Sequence, residues 1–485
     1  MMASKNDGAS DGRTFKKTDI ERILSSVLGT TLGEADIKGI FEKYRGKKKV
    51  TGIAGDVIEQ SVFGCDVDTK QHPDFLVDGI PTELKTTGVW IRDGLWSAKE
   101  PITITAVSVN NIVKEEFYTS AFWHKAEHLL IVFYHYNSNS VVEAMRYSEF
   151  PIWGYLFHVF DEADVRILLN DWEIVRDFIR EAQKGPDPES MYPLISTKLK
   201  KELMYIDTAP KWPKRPRFRL KKSFVTTIVQ GYKYGTKERL PHTYNSYREL
   251  DNKCHEITQR YCGRTLRELA DIFGVSIRAK NLAEQIVVRM FGGSAKKLND
   301  IEQFSKAGVI AKSIKLSEND GRTEDTKLYK IDLDELLSQK EFEESDMYDY
   351  FSHQFLCIVS QETTTEKGNK VPNSRFIGFK RLCIPEGFVE SEVRRTWNDA
   401  RNTVFNGELK EIIEYDRNGE PLINKSGTIK SSANFPKSKD YKVFFRGSGT
   451  DGTSKRQILG VNVLTQYLWI KGTELVKMLK EEEYL

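Results

Sequence analysis

The chain has 485 residues, a hydrophobic fraction of 39% and a formal net charge of +3. Its length exceeds that of one typical hydrophobic core, so we expect two domains of roughly 200 to 250 residues, and the nearly neutral charge alone indicates no partner. No apolar run reaches the ~18 residues that cross a bilayer, and the polar start lacks the apolar segment of a secretory signal. We therefore expect a soluble, cytoplasmic protein.

The predicted elements of the first half mix helices and strands. Residues 1–14 are polar and rich in glycine and serine, and we expect them to be disordered. From Thr18 the apolar residues of DIERILSSVLG follow helical spacing, and further helices are predicted over ADIKGIFEKY, GDVIEQSVFG and EADVRILLNDWEIVRDFIREAQ. Strands are predicted over PDFLVDGI, PTELKTTGVWI, PITITAVSV and HLLIVFYHY.

A domain junction is predicted around residues 232–247, where glycine and proline interrupt a polar stretch. Beyond it the order of elements repeats: helices over RTLRELADIFGV and NLAEQIVVRMFGG, a strand pair over FSKAGVIAKSIKL, and a strand over HQFLCIVSQ. Aligning Phe63-Gly64 with Phe291-Gly292 brings Ile131-Val132 close to Ile358-Val359 in the same order. An internal duplication is the economical explanation, and chance agreement between helix patterns is the alternative.

The five cysteines are odd in number, scattered, and without CxxC spacing. Such usage favours neither a disulfide framework nor a zinc cluster. We expect these residues to be small buried apolar side chains: Cys65, Cys254, Cys262, Cys357 and Cys383.

The stretch HPDFLVDGIPTELKTTG carries the residues on which a nuclease prediction depends. Residues two apart share one face of a strand, so Glu83 and Lys85 point together while Leu84 turns into the core. With Asp74 on the neighbouring strand of a hairpin, two carboxylates converge. They can hold one or two Mg²⁺ ions against a phosphodiester, and the lysine can orient water or offset charge on the phosphorane. The alternative is a surface hairpin with ordinary charges.

Four separate stretches in a fixed order raise this pattern above chance: GDVIEQSVFG, PDFLVDGIPTELKT, SAFWHK and RFRLKKSF. Together they resemble the MutH family, which comprises the methyl-directed mismatch-repair nicking endonuclease and the Sau-type restriction enzymes that cleave GATC. The resemblance covers about residues 18–232. It implies an α/β chain of two PD-(D/E)XK restriction-endonuclease-like domains, each a mixed β-sheet flanked by helices. Residues 15–235 would be the catalytic domain, and residues 236–485 an inactive, degenerate copy.

The resemblance also implies a role for each matching residue. Asp74 and Glu83 would be the metal ligands, and Lys85 the group that positions water or stabilises charge. Glu59 would be an accessory carboxylate that holds a metal or its water shell, and Lys125 a phosphate or active-site contact. The implied cofactor is Mg²⁺, as one ion or two. Residues 79–82 lengthen the spacer relative to the usual family pattern, so we expect a longer turn in this hairpin.

A basic segment follows the predicted nuclease elements and contains no acidic residue: Lys211, Lys214, Arg215, Arg217, Arg219, Lys221 and Lys222. Such a run beside a nuclease site is expected to contact phosphates, and its arginines can reach guanine edges in the major groove. A solvated basic loop is the alternative.

The alignment of the halves predicts that the second one does not cut DNA. The places of Glu59 and Glu83 fall on Val287 and Ile310, and the place of Lys125 falls near Ser352. Lys312 stands at the place of Lys85, and Asp300 or Glu302 answers to Asp74. One acidic residue and one lysine cannot bind magnesium well. In the Sau-type branch such a C-terminal domain binds a second DNA copy as an allosteric effector, and the resemblance implies the same here. A purely structural or dimerising half is the alternative. The basic residues expected to contact the second DNA are Lys437, Lys439, Lys442, Arg446, Lys455 and Arg456.

The function favoured by these features is that of a type II restriction endonuclease that cleaves both strands of a short palindrome, with GATC as the expected site. Its partner would be double-stranded DNA, at one site or at two sites at once. The protein would act in a bacterial cytoplasm, would not bind a membrane, and would be a monomer or a DNA-induced dimer. The alternatives are a mismatch-repair nickase and a catalytically silent DNA-binding protein. The nickase needs only one domain, so the added half favours the restriction hypothesis, and the retained site residues disfavour the silent protein.

Overall fold

The computed structural model describes residues 12–47, 52–66, 72–138, 142–210, 212–321, 324–362, 373–449, 454–458 and 460–485. The architecture is α/β with mixed sheets and flanking helices, as expected. Residues 1–11 of the segment expected to be disordered lie outside this description, but Thr14 already begins a strand. Ordered backbone starts this early because the Phe15 ring packs between Phe63 and Phe75, with ring centroids 5.5 and 5.4 Å away.

The first half contains a long central strand surrounded by shorter ones. Its strands are β1 (Thr14–Phe15), β2 (Phe75–Val77), β3 (Ile80–Arg92), β4 (Leu95–Ala98), β5 (Ile102–Ala106), β6 (His128–His135), β7 (Ile152–Val159), β8 (Ile206–Asp207) and β9 (Arg217–Leu220). Its α-helices are α1 (Lys17–Val27), α2 (Leu32–Ala35), α3 (Ile53–Asp56), α4 (Ala121–Ala126), α5 (Glu162–Lys184), α6 (Pro188–Met191) and α7 (Lys222–Tyr234).

The second half follows with strands and helices of its own. Its α-helices are α8 (Tyr247–Tyr261), α9 (Leu266–Phe273), α10 (Leu282–Met290), α11 (Glu302–Ala307), α12 (Leu333–Ser338), α13 (Asp346–Phe351), α14 (Glu386–Phe388), α15 (Arg394–Phe405) and α16 (Gly472–Lys480). Its strands are β10 (Val309–Leu316), β11 (Thr326–Lys330), β12 (Gln354–Gln361), β13 (Arg375–Cys383), β14 (Glu411–Ile413), β15 (Ser431–Ala433), β16 (Val443–Ser448), β17 (Arg456–Ile458), β18 (Val461–Val463) and β19 (Thr465–Ile470).

The sheet that carries the candidate site has the order β1-β2-β3-β6-β7, and β4 also pairs with β3. β3 runs parallel to β6 and antiparallel to β2, so strands of both directions meet at the start of β3. A second sheet of the first half, β5-β9-β8, presents the predicted basic segment on β9. In the second half the sheets are β10-β12-β13, β11-β19-β16 and two pairs, β14-β15 and β17-β18.

Buried apolar residues form three clusters. One lies between α1, α3 and one face of the first sheet and includes Leu84 and Leu130. A second fills the end of the chain around β12 and β16. The largest runs across the expected boundary at 235/236, because Phe224 and Phe304 belong to the same cluster. The two halves therefore share a continuous core, although α7 ends at Tyr234 and α8 begins only at Tyr247.

Two expected elements differ from the structure. The helix expected over ADIKGIFEKY is replaced by a loop and a short 3-10 helix (Phe41–Tyr44), because Gly39 takes a φ of 67° and interrupts the helical path. The strand pair expected over FSKAGVIAKSIKL is helix α11 followed by the single strand β10, with Gly308 at a φ of 69° ending the helix.

Two other expectations concern cysteines and membranes. All five cysteines carry free thiols, and four are buried as expected, but Cys262 is exposed because it follows the end of α8 at the surface. Within the described part of the chain, none of the helices is both long enough and apolar enough to span a bilayer.

Candidate active site

A tight hairpin joins β2 to β3 and brings the predicted site residues together. Phe75 pairs with Thr82 and Val77 with Ile80, which leaves Asp78 and Gly79 as the two turn residues. Both have positive φ, 48° and 83°, as a type I′ turn requires. The expected longer turn is therefore wrong: the extra residues lengthen the paired strands, and Pro81 lies in β3 opposite Leu76.

Glu83 and Lys85 point to the same face of β3, as the alternation of side chains predicts. The Lys85 Nζ atom lies 2.7 Å from Oε1 of Glu83, and the Glu83 side chain is only 3% exposed. Leu84 points to the other face and is buried in the cluster beneath α3. β3 also pairs with β6 through Glu83 opposite Leu129, so backbone hydrogen bonds hold the strand on both sides at this point.

Lys125 reaches the same carboxylate from helix α4. Ser120 caps this helix by accepting a hydrogen bond from the Trp123 backbone N–H at 3.1 Å, and α4 ends just before β6 begins. The Lys125 Nζ atom donates to both oxygens of Glu83, at 3.0 and 3.2 Å. Two lysines thus neutralise one buried carboxylate, which makes its burial tolerable.

Asp74 lies just before β2 and faces the start of β3. Its Oδ2 atom accepts a hydrogen bond from the Leu84 backbone N–H at 2.8 Å. Burial first, and then the negative charge of Glu83, raise the pKa of Asp74 to about 6, although Lys85 opposes the change. Asp74 and Glu83 are therefore close enough to repel each other, which is the arrangement that a divalent cation stabilises.

Glu59 lies on a π-helical segment (Val57–Val62) that continues α3. Its Oε1 atom accepts a hydrogen bond from Nη2 of Arg13 at 2.7 Å, and its negative charge contributes to raising the pKa of Asp74. π-helical turns are rare in proteins, and those that occur are often found at functional sites. Glu59 therefore borders the Asp74 and Glu83 pair while Arg13 holds its carboxylate.

Arg13 is the residue at this site that the sequence did not point to. It precedes β1 in a polar segment that we expected to be disordered, and no motif marks it. Its guanidinium also donates to the backbone oxygens of Asp74, at 2.9 Å, and Asp66, at 2.5 Å.

The donor set fits a magnesium ion held in part by substrate and water. Among the described residues there is no preassembled cluster of three or more His, Cys, Asp or Glu side chains for a metal, since Glu59 is paired with Arg13 and Glu83 with two lysines. Mg²⁺ commonly takes only one or two protein carboxylates and completes its shell with water and substrate phosphate. Asp74 and Glu83 supply those two carboxylates.

The basic segment divides into exposed and internal residues. Lys211 lies outside the described residues. Lys214, Arg215 and Arg217 are exposed, whereas Phe218 and Leu220 of the same strand are buried in the large core cluster. β9 therefore holds Arg217 on a fixed surface of the β5-β9-β8 sheet, and Lys214 and Arg215 lie just before this strand.

The remaining basic residues of this segment have partners inside the protein. Arg219 pairs with Asp207 at 2.6 Å. Lys221 donates to the backbone oxygen of Leu203 at 2.6 Å, and burial lowers the pKa of Lys221 to about 8. Lys222 pairs with Asp349 of the second half at 3.2 Å. These contacts fix the start of α7 and leave the exposed group before it as the available cationic surface.

The sequence compares with known proteins in two ways. Residues 63–171 match the model of the family described as DNA mismatch repair enzyme MutH. This range contains the β2–β3 hairpin and Lys125. The chain is also 24% identical, over 407 residues, to the type II restriction enzyme Sau3AI of Staphylococcus aureus, an alignment that covers 78% of this chain and 80% of that enzyme.

The resemblance to the MutH and Sau-type endonucleases is confirmed. The region that matches the MutH family holds Asp74, Glu83, Lys85 and Lys125, whereas Glu59 and the basic segment lie outside the matched range. The Sau3AI alignment is longer than either half of the chain, so it extends beyond the MutH-type region.

Proposed function

We propose that this chain is a type II restriction endonuclease that hydrolyses both strands of double-stranded DNA at a short palindrome, in the cytoplasm of a bacterium. The convergence of Asp74, Glu83, Lys85 and Lys125 on one face at the start of β3 carries this proposal. Similarity to a restriction enzyme along most of the chain favours it over a single-domain mismatch-repair nickase. GATC is the expected recognition site by resemblance.

In this proposal, Asp74 and Glu83 hold Mg²⁺, one ion or two. A bound magnesium ion would polarise the scissile phosphate and lower the pKa of a coordinated water. Lys85 would orient the attacking water or offset charge on the phosphorane, because its amine already lies 2.7 Å from the Glu83 carboxylate. Lys125 would share this task from the opposite side, and Glu59 would hold the outer water shell.

The exposed residues of the basic segment are proposed to contact the DNA backbone. Lys214, Arg215 and Arg217 have exposed side chains, and Arg215 donates a long hydrogen bond of 3.4 Å to the Val107 backbone oxygen. Lys221 and Lys222 would act indirectly by fixing α7. Affinity for DNA that arises from phosphate contacts is sequence-independent and weakens with salt.

The second half is proposed to be a degenerate copy of the first. β10 pairs in parallel with β12, and β12 pairs antiparallel with β13, which is the arrangement of β3, β6 and β7. Helices α2 and α9 each begin with a Thr-Leu-x-Glu capping box, at Thr31 and Thr265. Thr31 forms an isolated β-bridge to Pro151, just before β7. Thr265 forms the corresponding bridge to Arg375, at the start of β13.

The segments before β6 and β12 also agree in detail. Ser120 and Ser345 each donate their hydroxyl to the backbone oxygen of a phenylalanine three residues earlier, at 2.6 Å. Each also accepts the N–H three residues later, at 3.1 Å. Five residues beyond these serines stand Lys125 in the first half and Tyr350 in the second.

The corresponding site of the second half lacks the chemistry of the first. Glu83 is opposite Leu129 in the parallel pair, and Ile310 is opposite Phe355 in the other one. Lys312 donates to the backbone oxygens of Lys327 and Leu328, at 3.0 and 3.1 Å, and its burial lowers its pKa to about 8. A lysine that binds β11 carbonyls, with no carboxylate beside it on the strand, supports the proposal that this half does not cut DNA.

We propose that the second half binds a second DNA site as an effector. This rests on the Sau-type resemblance more than on free charge, because Lys442, Arg446 and Lys455 are already paired with Glu392, Asp325 and Glu411 at 2.7, 2.6 and 2.6 Å. Lys439 is exposed, and the Arg456 side chain lies outside the described part of the chain. Faster cleavage of a plasmid with two sites than of a matched plasmid with one would support a bound effector, and equal rates would argue for a structural half.

The deciding experiment is incubation of the purified protein with unmethylated plasmid and Mg²⁺, followed by sequencing of every product end. Asp74→Ala serves as the inactive variant, and Asp187→Ala, at an exposed position outside the site, as the matched control. Discrete double-strand ends that only Asp74→Ala abolishes would support the proposal and identify the site. Nicks alone would favour a nickase, and specific binding without cleavage would favour a silent DNA-binding protein.

A further inference from the structure

The segment before α1 is fixed onto the active-site hairpin. β1 pairs in parallel with β2, and the backbone oxygens of Arg13 and Phe15 accept hydrogen bonds from the N–H groups of Leu76 and Asp78, both at 2.9 Å. The thiol of Cys65 donates to the Gly12 backbone oxygen at 3.4 Å. Residues 12–15 therefore connect the metal-site hairpin to the chain that follows the Glu59 helix.

From this segment, the Arg13 guanidinium donates to three acceptors among those given for the described residues. It donates to Oε1 of Glu59 at 2.7 Å and to the backbone oxygens of Asp74 and Asp66 at 2.9 and 2.5 Å. The Arg13 side chain is only 12% exposed. We propose that Arg13 is a positioning residue of the active site, which fixes the Glu59 carboxylate against the peptide group of Asp74. The inference rests on the proposed function of this site.

The charge distribution of the site explains why an arginine is needed here. The negative charges of Glu59 and Glu83 both act on Asp74, and both lysines of the site contact Glu83. Arg13 supplies the cation next to Glu59. Its planar fork can serve acceptors in several directions at once, whereas a lysine offers a single point of charge.

Loss of Arg13 would change the site in two ways. The Glu59 carboxylate would be free to turn toward solvent, and the peptide after Asp74 would lose a donor that limits its movement. Residues that orient metal ligands typically alter metal affinity or activity about 10- to 100-fold when removed. We expect the loss of Arg13 to appear mainly as weaker Mg²⁺ affinity, because the Asp74 carboxylate is a proposed metal ligand and Glu59 borders the proposed water shell of the metal.

The test is a double-mutant cycle on the full chain. Mg²⁺ binding without DNA is measured by isothermal titration calorimetry for wild type, Arg13→Met, Glu59→Gln and the double variant. Arg22→Met is the control, since Arg22 is exposed on α1 and pairs only with Asp19 at 3.3 Å among the ion pairs described. Circular dichroism shows whether Arg13→Met is folded. If that variant is less stable, Arg13→Lys provides a second substitution that keeps a positive charge.

We expect Arg13→Met to weaken Mg²⁺ binding about 10- to 100-fold and Arg13→Lys to recover part of this loss. Once Glu59 is Gln, Arg13→Met should have a clearly smaller further effect, because only its contacts with backbone oxygens, including that of Asp74, are then left to lose. An effect of Arg13→Met no larger than that of Arg22→Met would overturn the inference. So would an equal loss with and without Glu59, because a merely structural residue acts independently of its partner. A wild-type chain that binds Mg²⁺ and cuts no DNA would refute the proposed function while the binding cycle still decides the role of Arg13.

Discussion

The metal-binding role proposed for Asp74 conflicts with the stability of the folded chain. Burial and the charge of Glu83 raise the pKa of Asp74 to about 6 from an ordinary value of 3.8, so the folded chain binds a proton here more tightly than the unfolded chain. The free energy of unfolding from this group is therefore highest below pH 3.8 and falls as the pH rises toward 6. At neutral pH the ionised carboxylate is destabilising unless a cation binds it.

We expect Asp74→Asn to stabilise the metal-free protein and abolish cleavage. The amide keeps an oxygen for the Leu84 N–H but carries no charge, so urea unfolding at pH 7.5 should give a gain of about 1–3 kcal/mol. The gain should vanish near pH 4, where the wild-type carboxyl is protonated. Asp187→Asn, at an exposed position, should change neither property. A destabilised Asp74→Asn protein at pH 7.5 would show that the carboxylate is not strained.

The residues of the site differ in how far sequence could predict them. Glu83 and Lys85 follow from strand alternation alone, and their contact is confirmed. Lys125 required the family resemblance, because 42 positions separate it from Glu83. Arg13 contacts residues 46 and 61 positions away and carries no motif. Its role depends on tertiary contacts that a local pattern does not contain.

Among the elements, the β2–β3 hairpin determines how the carboxylates meet, and its turn depends on Gly79. Gly79 has a φ of 83°, where a Cβ atom costs about 1–2 kcal/mol. We expect Gly79→Ala to lower the free energy of unfolding by about 1 kcal/mol and to reduce cleavage, because the register that aligns Asp74 with Leu84 starts from this turn. Urea unfolding and a plasmid cleavage rate measure the two effects.

The same substitution at Gly231 is the matched control. Gly231 lies inside α7 with no atom within 4 Å of the position a Cβ would take. Alanine there should stabilise the helix by about 0.5–1 kcal/mol and leave cleavage unchanged. Equal effects of the two substitutions would show that the turn geometry is not what limits the site.

The exposed face of β9 should contribute to DNA binding through charge. Arg217 is exposed, while Phe218 beside it is buried and fixes the strand. We expect Arg217→Ala to weaken DNA binding and to lower the dependence of log Kd on log salt by about 0.9 per lost phosphate contact. Fluorescence anisotropy with Ca²⁺ across a salt series measures this slope. Lys253→Ala, at a partly exposed cation on α8 that pairs with Glu256 at 2.8 Å, is the control and should leave the slope unchanged.

Element boundaries could be predicted where a periodic pattern extends over many residues. The prediction failed where a single buried contact determines the position of a short element. Helix α5 spans 23 residues and was predicted almost to its ends. Helix α11 was missed because it spans only six residues, too few for a helical period to show in the sequence. Its Lys306 forms a buried ion pair with Asp164, 142 positions away, at 2.6 Å. That ion pair places α11 against α5, and nothing in the local sequence indicates it.

At the scale of the whole molecule, the two halves are joined by polar contacts as well as by the shared core. Arg92 ends β3, the strand that begins with the candidate active site, and its guanidinium contacts Glu335 and Asp346 of the second half. Burial and a hydrogen bond with Asp346 raise the pKa of Glu335 to about 9. Arg92 therefore contacts two acidic side chains of the second half, and the Glu335 carboxyl is shifted toward its protonated form.

Removal of this arginine should destabilise the whole chain, not one half alone. Arg92→Met would leave Asp346, whose side chain is only 19% exposed, with Lys222 of the first half, at 3.9 Å, as its remaining cation among the ion pairs of the described residues. Breaking a buried pair costs about 3–5 kcal/mol, and partial exposure of Arg92 (29%) reduces this to about 2–3 kcal/mol. Because the core is continuous across the halves, we expect one cooperative transition at a lower urea concentration.

Lys330→Met is the matched control for this interface. Lys330 pairs with Asp93, the residue after Arg92, at 2.8 Å, but the side chains are 46% and 72% exposed. Exposed pairs contribute about 0–1 kcal/mol, so the control should shift the urea midpoint only slightly. Two separate transitions in Arg92→Met would instead mean that the halves are independent units held together by this contact. Because Lys222–Asp349 and Lys306–Asp164 also cross between the halves, such a result would make Arg92 the contact on which their coupling chiefly depends.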